Sequence, residues 1–155
     1  MKRKHALILA FLLTGLIVST YSLFQLTSKS ENLETVLVSR VIDGDTLVLD
    51  DGRKIRLLNI NAPEKSFPTH KISTNYLKKY ENRSVSIQIT DRDKYNRLLA
   101  RLYTPDYLNL ALVSQGLASK FLVSSKEKKQ FSNAERNAIS QGIGVWQHST
   151  HYGCF

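Results

Sequence analysis

Between Thr35 and Ile60 three β-type runs follow one another with no room for a helix between them. "TVLVSRVI" (35–42) alternates apolar and polar residues and is rich in β-branched side chains, as a half-buried strand is. "DGD" interrupts it, "TLVLD" (46–50) resumes, and "DDG" gives a hairpin turn in which Gly52 takes positive φ. "KIRLLNI" (54–60) is a third strand, so the three form a meander.

The pattern then changes period. In "ISTNYLKKYE" (72–81), Ile72, Tyr76 and Tyr80 recur every four residues, which predicts a short amphipathic helix. "SVSIQIT" (84–90) and "RLLARLY" (97–103) return to alternation on either side of the polar turn "DRDKYN" (91–96). "YLNLALVSQG" (107–116) predicts a helix with Leu108, Ala111 and Leu112 on one face, closed by Gly116. A last helix, with Phe131, Ala134 and Ala138 on its apolar face, starts at a capping box of Ser124 and Glu127 and stops at Gly142. Five short strands with a helix after the third suggest a small closed barrel of the OB type, its later helices packed at the side.

The ends differ from this middle. "MKRKH" carries three fixed positive charges, and no charged residue follows from Ala6 to Ser28. A basic start before an apolar run is an export signal. Residues 1–28 are read as a signal peptide, with Thr20 and Ser22 as small residues for cleavage, or as a retained membrane anchor with the basic end inside. Residues 29–34 form a linker, 35–147 the folded domain and 148–155 a tail. The protein is expected to be exported, either secreted or held on the outer face of the cytoplasmic membrane. Beyond residue 28 there remain 19 basic and 13 acidic residues, a net charge of +6. That balance favours a polyanionic partner, nucleic acid or anionic lipid. The only cysteine, Cys154, leaves no internal disulfide to form. His148, His151 and Cys154 offer only three metal-type ligands and read as a solvated tail, with Trp146 packing that tail onto the barrel.

The chemistry is concentrated in "RVIDGDTLVLDDGRKIRLLNINAPE" (40–64). Asp43 and Asp45 flank one glycine at a strand turn, and carboxylates of this kind bind hard cations such as Ca²⁺. Arg56 lies in an apolar strand, where arginine needs an anionic neighbour. Glu64 leaves the strand end after Pro63, in position to act as a general base toward water. Arg97 opens the fifth strand behind Lys94 and Tyr95. Two guanidinium groups, a carboxylate pair and a glutamate form a consistent set for phosphoryl chemistry, in which positive charge is gathered around a phosphate under attack. A tyrosine in the same turn can stack on a base.

"VIDGDTLVL", "IRLLNINAPE", "DKYNRLLARLY", "NLALVSQGLA" and "AISQGIGVW" resemble, in order, the successive blocks of the staphylococcal nuclease-like (thermonuclease) family. The resemblance covers about residues 35–147. It implies an α+β fold, a five-stranded OB-fold β-barrel with three helices. It also implies a monomeric, Ca²⁺-dependent nuclease that cuts DNA or RNA endonucleolytically and leaves 3′-phosphate ends. By the same resemblance, Asp45, Asn61 and the backbone carbonyl of Ala62 hold one calcium ion. Glu64 is the general base, Arg56 and Arg97 bind the phosphate, Lys94 and Tyr95 touch the nucleotide, and Asp43 supports the metal site from behind.

Three positions depart from the pattern. Asn61 stands where the family usually has an acid, so weaker Ca²⁺ binding is expected. Asn96 replaces a glycine, in a turn that asparagine tolerates. Leu122 and Ser124 replace nucleotide-facing tyrosines, and Lys120 or Phe121 is expected to compensate. The rival reading is a non-catalytic OB-fold nucleic-acid binder that has lost full metal binding, with Asn61 as its support. An anionic-lipid-binding protein would not need the paired arginines.

Overall fold

In a computed structural model the described residues are 33–147 together with Gly15 and Ser19. Most of the leader and the whole of the 148–155 tail, including His148, His151 and Cys154, therefore lie outside the described residues. Of the leader, Gly15 and Ser19 are helical and exposed. Among the described residues no helix is long and apolar enough to cross a membrane.

The alternating runs form the strands expected of them. These are β1 (Glu34–Val41), β2 (Thr46–Leu49), β3 (Lys54–Leu57), β5 (Ser84–Arg92) and β6 (Leu98–Tyr103), closed into a barrel in the order β1-β2-β3-β6-β5. All pairings are antiparallel except β3 with β6, where Ile55 faces Leu98 and Leu57 faces Ala100 in parallel. Alternation carries Val36, Val38, Leu47, Leu49, Ile55, Leu57, Val85, Ile87, Ala100 and Leu102 into one core, each at most 7% exposed. The OB-type α+β barrel with three helices is thus the observed fold.

The third strand is shorter than "KIRLLNI" predicts. It breaks after Leu57, because Asn59 adopts φ 68°, and a separate strand β4 (Ile60–Asn61) leaves the barrel to pair with β7 (Ser119–Lys120). The break costs little hydrogen bonding. Leu58 N–H donates to the Ala100 carbonyl, and the Asn109 side-chain amide donates to the Leu58 carbonyl at 2.9 Å. Asn109, fully buried, also donates to Ala100 and accepts from Leu102 N–H, so one side chain seals the opened ladder.

Helix α1 spans His70–Lys78, two residues earlier at its start and three at its end than its period suggests. Its inner face is Ser73, Thr74 and Leu77, while Ile72 is 52% exposed. The buried position next to Ile72 is polar. Ser73 can be buried because its hydroxyl donates to the Leu117 carbonyl, satisfying the group that hydropathy alone would place outside. Helix α2 (Leu108–Ser114) ends as expected at Gly116. Leu117 N–H donates to the Leu112 carbonyl and Gly116 N–H to Val113, a Schellman closure with Gly116 at φ 63°.

Helix α3 spans Lys128–Ser140 and buries Phe131, Glu135 and Ala138. The capping box predicted from Ser124 and Glu127 does not form. Helix α3 has no side-chain cap bond, because the Glu127 carboxylate is bound to the guanidinium of Arg101 at 2.6 Å and to the Asn59 amide at 2.9 Å. A short 3₁₀ turn, Gly144–Trp146, then folds back. Val145 N–H donates to the Gly116 carbonyl at 2.7 Å, which ties this turn to the end of α2.

Gly44, between the two aspartates of the β1–β2 loop, marks the closest approach of that loop to α1. A Cβ there would stand 2.7 Å from Ala62 Cβ and 2.7 Å from Ser73 Cβ. Gly44→Ala should therefore destabilise the domain by about 1–3 kcal/mol through overpacking. The change is read as a lower urea midpoint at unchanged slope.

Candidate active site

The site is assembled where β2, β3 and β4 meet. Thr46 faces Arg56 across the β2–β3 pair, and Leu57 N–H donates to the Asp45 carbonyl at 2.8 Å, which fixes the Asp-Gly-Asp loop against the end of β3. Asp45 is 7% exposed, and both of its carboxylate oxygens are engaged. Oδ1 accepts from the Thr46 hydroxyl at 3.0 Å. Oδ2 accepts from Ala62 N–H at 2.7 Å and pairs with Arg56 Nη2 at 3.1 Å. Asp43 accepts from Asp45 N–H at 3.1 Å, which braces the Asp-Gly-Asp loop. Burial pushes the Asp45 carboxyl up to about 6, against the opposing pull of Arg56, Ala62 N–H and the Thr46 hydroxyl and with a smaller upward push from Asp43.

Arg56 has only 11% of its side chain exposed. Its Nη1 donates to the Leu57 carbonyl at 2.7 Å, and its Nη2 also donates to Asn61 Oδ1 at 3.1 Å. Burial lowers its pKa, Asp45 opposes that, and the like charge of Arg97 adds to it. Among the described residues three of the five guanidinium N–H groups are thereby engaged, which leaves two for a further acceptor.

Arg97 joins the cluster through Thr46. Its Nη1 lies 3.5 Å from the Thr46 hydroxyl that in turn donates to Asp45 Oδ1. Asp93 holds its Nε at 2.8 Å and also accepts from the backbone N–H groups of Arg97 and Tyr95. Burial opposes ionisation of Asp93, but these donors outweigh it and lower its pKa. The turn between β5 and β6 closes with Asn96 at φ 65°, so asparagine does take the left-handed conformation there. Tyr95 is 69% exposed, with Lys94 Nζ 5.0 Å and the Arg97 guanidinium 5.6 Å from its ring centre.

Glu64 sits two residues past Ala62, hence within about 7 Å of it along the chain, and is exposed. Among the described residues its carboxylate makes no hydrogen bond or ion pair. The loop that carries it is held by the His70 ring, 2.9 Å from the Pro63 carbonyl, and by Phe67 N–H donating to the Glu64 carbonyl. Asp43, Asp45, Arg56, Asn61 and Ala62 thus form one bonded cluster, with Arg97 joined through Thr46. Glu64, Lys94 and Tyr95 flank it without a direct bond to it.

On the β4–β7 side, Lys120 has a carboxylate partner of its own. Its ammonium pairs with the Glu135 carboxylate, which also accepts Lys120 N–H. Phe121 remains 49% exposed, beside Leu122 at φ 47° and 83% exposed.

Three contributors escaped the sequence reading. Thr46 follows Asp45 directly, and Asp93 stands four residues before Arg97, so both had a positional signal. His70 had none, because its partner is a backbone carbonyl seven residues away.

Asp45 Oδ2 and Asn61 Oδ1 face one cationic nitrogen from two sides. Hard oxygens that converge on positive charge fit a hard divalent cation. Only one of these two donors is charged, and among the described residues no group of three or more His, Cys, Asp or Glu side chains gathers to hold a metal.

Residues 54–148 match the family described as staphylococcal nuclease homologue. A thermonuclease of Staphylococcus intermedius is 32% identical over 139 residues, which is 80% of this chain and 83% of that protein. A thermonuclease of Staphylococcus hyicus is 27% identical over 132 residues, 76% of this chain and 78% of its own length. An uncharacterized endonuclease of Escherichia coli O157:H7 is 42% identical over 77 residues, covering 47% of this chain and 50% of that protein. The chain thus spans about half the length of that endonuclease and most of the two thermonucleases. With the barrel, its three helices and these matches in agreement, the chain belongs to the staphylococcal nuclease homologue family.

Proposed function

We propose that this protein is a nuclease that hydrolyses phosphodiester bonds of DNA or RNA within the strand, leaving 3′-phosphate ends, and that it uses Ca²⁺. The observation that carries this reading is one cluster in which Arg56 pairs with the buried Asp45 carboxylate and Arg97 joins it through the Thr46 hydroxyl, with Glu64, two residues beyond Ala62, making no side-chain bond among the described residues. A guanidinium pair of this kind matches the charge and fork geometry of a phosphate. The names of the relatives support the same substrate class.

In this reading Arg56 and Arg97 hold the phosphate and the charge that grows on it. Glu64 takes a proton from water, the water oxygen bonds to phosphorus, and the P–O5′ bond breaks with its electron pair going to O5′, which takes up a proton from solvent and leaves as the 5′-hydroxyl, so that the phosphate stays on the 3′ side. Asp45, Asn61 and the Ala62 carbonyl would hold the cation, whose charge would lower the cost of negative charge at the phosphate. Lys94 and Tyr95 would contact the nucleotide beside Arg97. The basic start and uncharged run of residues 1–28 support export, by cleavage or by anchoring.

The rival binder draws on one observation: Asn61 Oδ1 is already bonded to Arg56. Asn61→Asp separates the two. Restoring a charged ligand should tighten Ca²⁺ binding about tenfold by calorimetry, with a matching fall in the Ca²⁺ needed for half-maximal DNA cleavage. Calcium affinity unchanged by this substitution would remove position 61 from the metal site.

A further inference from the structure

At the far end of β6 from Arg97 the barrel carries a second concave surface, a cavity of about 330 Å³ lined by Thr35, Tyr80, Arg83, Ser84, Ser86 and Tyr103 with their neighbours. Its floor is a row across three strands. Thr35 of β1 faces Ser86 of β5, and Ser86 faces Tyr103 of β6. Along β6 the side chains at 98, 100 and 102 point into the core, so Arg97 and Tyr103 share the outer face. Six residues of extended chain separate them, about 20 Å.

The lining has a distinctive chemistry. Arg53, Arg56, Arg97 and Arg101 are each paired with a carboxylate, whereas the Arg83 guanidinium, like those of Arg40 and Arg136, makes no ion pair or hydrogen bond among the described residues, and of these three only Arg83 lines the cavity. Nor do the hydroxyls of Thr35, Tyr80, Ser84 and Ser86 make a hydrogen bond among the described residues. No acidic side chain lines the cavity. Glu34, next to Thr35 in the chain, is bound to Arg53, and Glu81, close to Arg83, accepts Val41 N–H. Tyr103 is held in place by a stack on Tyr107 at 5.3 Å, and Tyr107 by an edge contact with Phe131 at 5.8 Å. An unspent guanidinium among unspent hydroxyls suits a phosphate, and a ring fixed by its neighbours suits a base. The volume is that of one small ligand.

We propose that this cavity is a second subsite for single-stranded nucleic acid, with one phosphate on Arg83 and its hydroxyl neighbours and one base on Tyr103, about 20 Å of β6 away from the cleavage site. The inference rests on the nucleic-acid reading of the chain. It makes long single strands better ligands than short ones.

The test measures binding of a fluorescent 20-nucleotide thymidine strand by anisotropy in chelator, and separately kcat and KM on a dinucleotide substrate with Ca²⁺. Arg83 is exposed and unbonded through its side chain, so Arg83→Ala should fold normally. It should weaken binding of the long strand about five- to tenfold and reduce the slope of log K against log salt by about 0.7, one phosphate's worth. Ser86→Asp, which adds an anion to the cavity, should weaken it at least as much. Both variants should leave the dinucleotide constants unchanged. Unchanged long-strand binding in both variants, or an equal loss on the dinucleotide, would overturn the subsite. So would a loss confined to anionic phospholipid vesicles. A wild-type protein that binds the long strand through Arg83 but cuts neither substrate would overturn the nuclease reading and leave the subsite standing.

Discussion

Glu64→Gln should lower the rate of DNA cleavage by about 10²- to 10⁴-fold, the usual contribution of a positioned general base, while leaving the fold unchanged. The glutamine keeps the shape of the side chain and its place in the loop, but it cannot take a proton from water. Glu64 is exposed and its carboxylate is unbonded among the described residues, so its replacement removes no contact. A surface change of this kind moves stability by no more than about 0.5 kcal/mol. The loss should therefore appear in kcat, with KM and the melting temperature held. Arg97→Ala makes a useful contrast. It should cost about 10²–10³ in rate, but it also strips Asp93 of its guanidinium partner, leaving only the backbone N–H donors of the β5–β6 turn on that carboxylate. A rate loss for Glu64→Gln that comes with a lowered melting temperature would assign Glu64 to the architecture instead.

Phe131→Ala should be the most damaging single change to stability, at about 3–5 kcal/mol. Phe131 is fully buried and packs edge-on against Tyr107, joining α3 to the start of α2. Domains of this size hold only about 5–15 kcal/mol in total, so the variant should be marginal at 37 °C. The consequence reaches the site by a traceable route. Helix α3 carries Glu135, Glu135 holds Lys120 in β7, and β7 holds β4 with Asn61 and the chain leading to Glu64. Urea unfolding checks the energy, and activity measured well below the midpoint should recover a large part of the wild-type rate. A loss of less than 1 kcal/mol would mean that α3 docks without Phe131.

Periodicity was a sufficient guide to the barrel, because each strand buries one face and the alternation of Val36, Val38, Leu47, Leu49, Val85 and Ile87 has one solution. It was a poor guide wherever a polar group is buried or a side chain reaches across the fold. Ser73 and Asn109 occupy core positions because each satisfies backbone carbonyls that no local pattern exposes. Ser124 and Glu127 have the spacing of a helix cap, yet Glu127 prefers Arg101 and Asn59, which are 26 and 68 residues away in the chain. The third strand reads as continuous because an asparagine at φ 68° leaves no hydropathic trace. At the site, the clustering of Asp43, Asp45, Arg56, Asn61 and Ala62 was legible in residues 40–64. What was not legible is the bonding within it: Arg56 spans Asp45 and Asn61, so the amide at 61 is an acceptor for the guanidinium as well as a candidate metal ligand. An aspartate there would bind Arg56 more strongly and add the charge that the cation would otherwise lack.

The most direct measurement is digestion of supercoiled plasmid by the wild-type protein, with Ca²⁺ in one tube and chelator in the other. Two arginines, one glutamate and an oxygen-lined cation position predict nicked and then fragmented DNA in the Ca²⁺ tube, and intact plasmid with chelator. Plasmid retarded on a gel but uncut in both tubes would contradict the assignment and identify the chain as a binder that has lost catalysis.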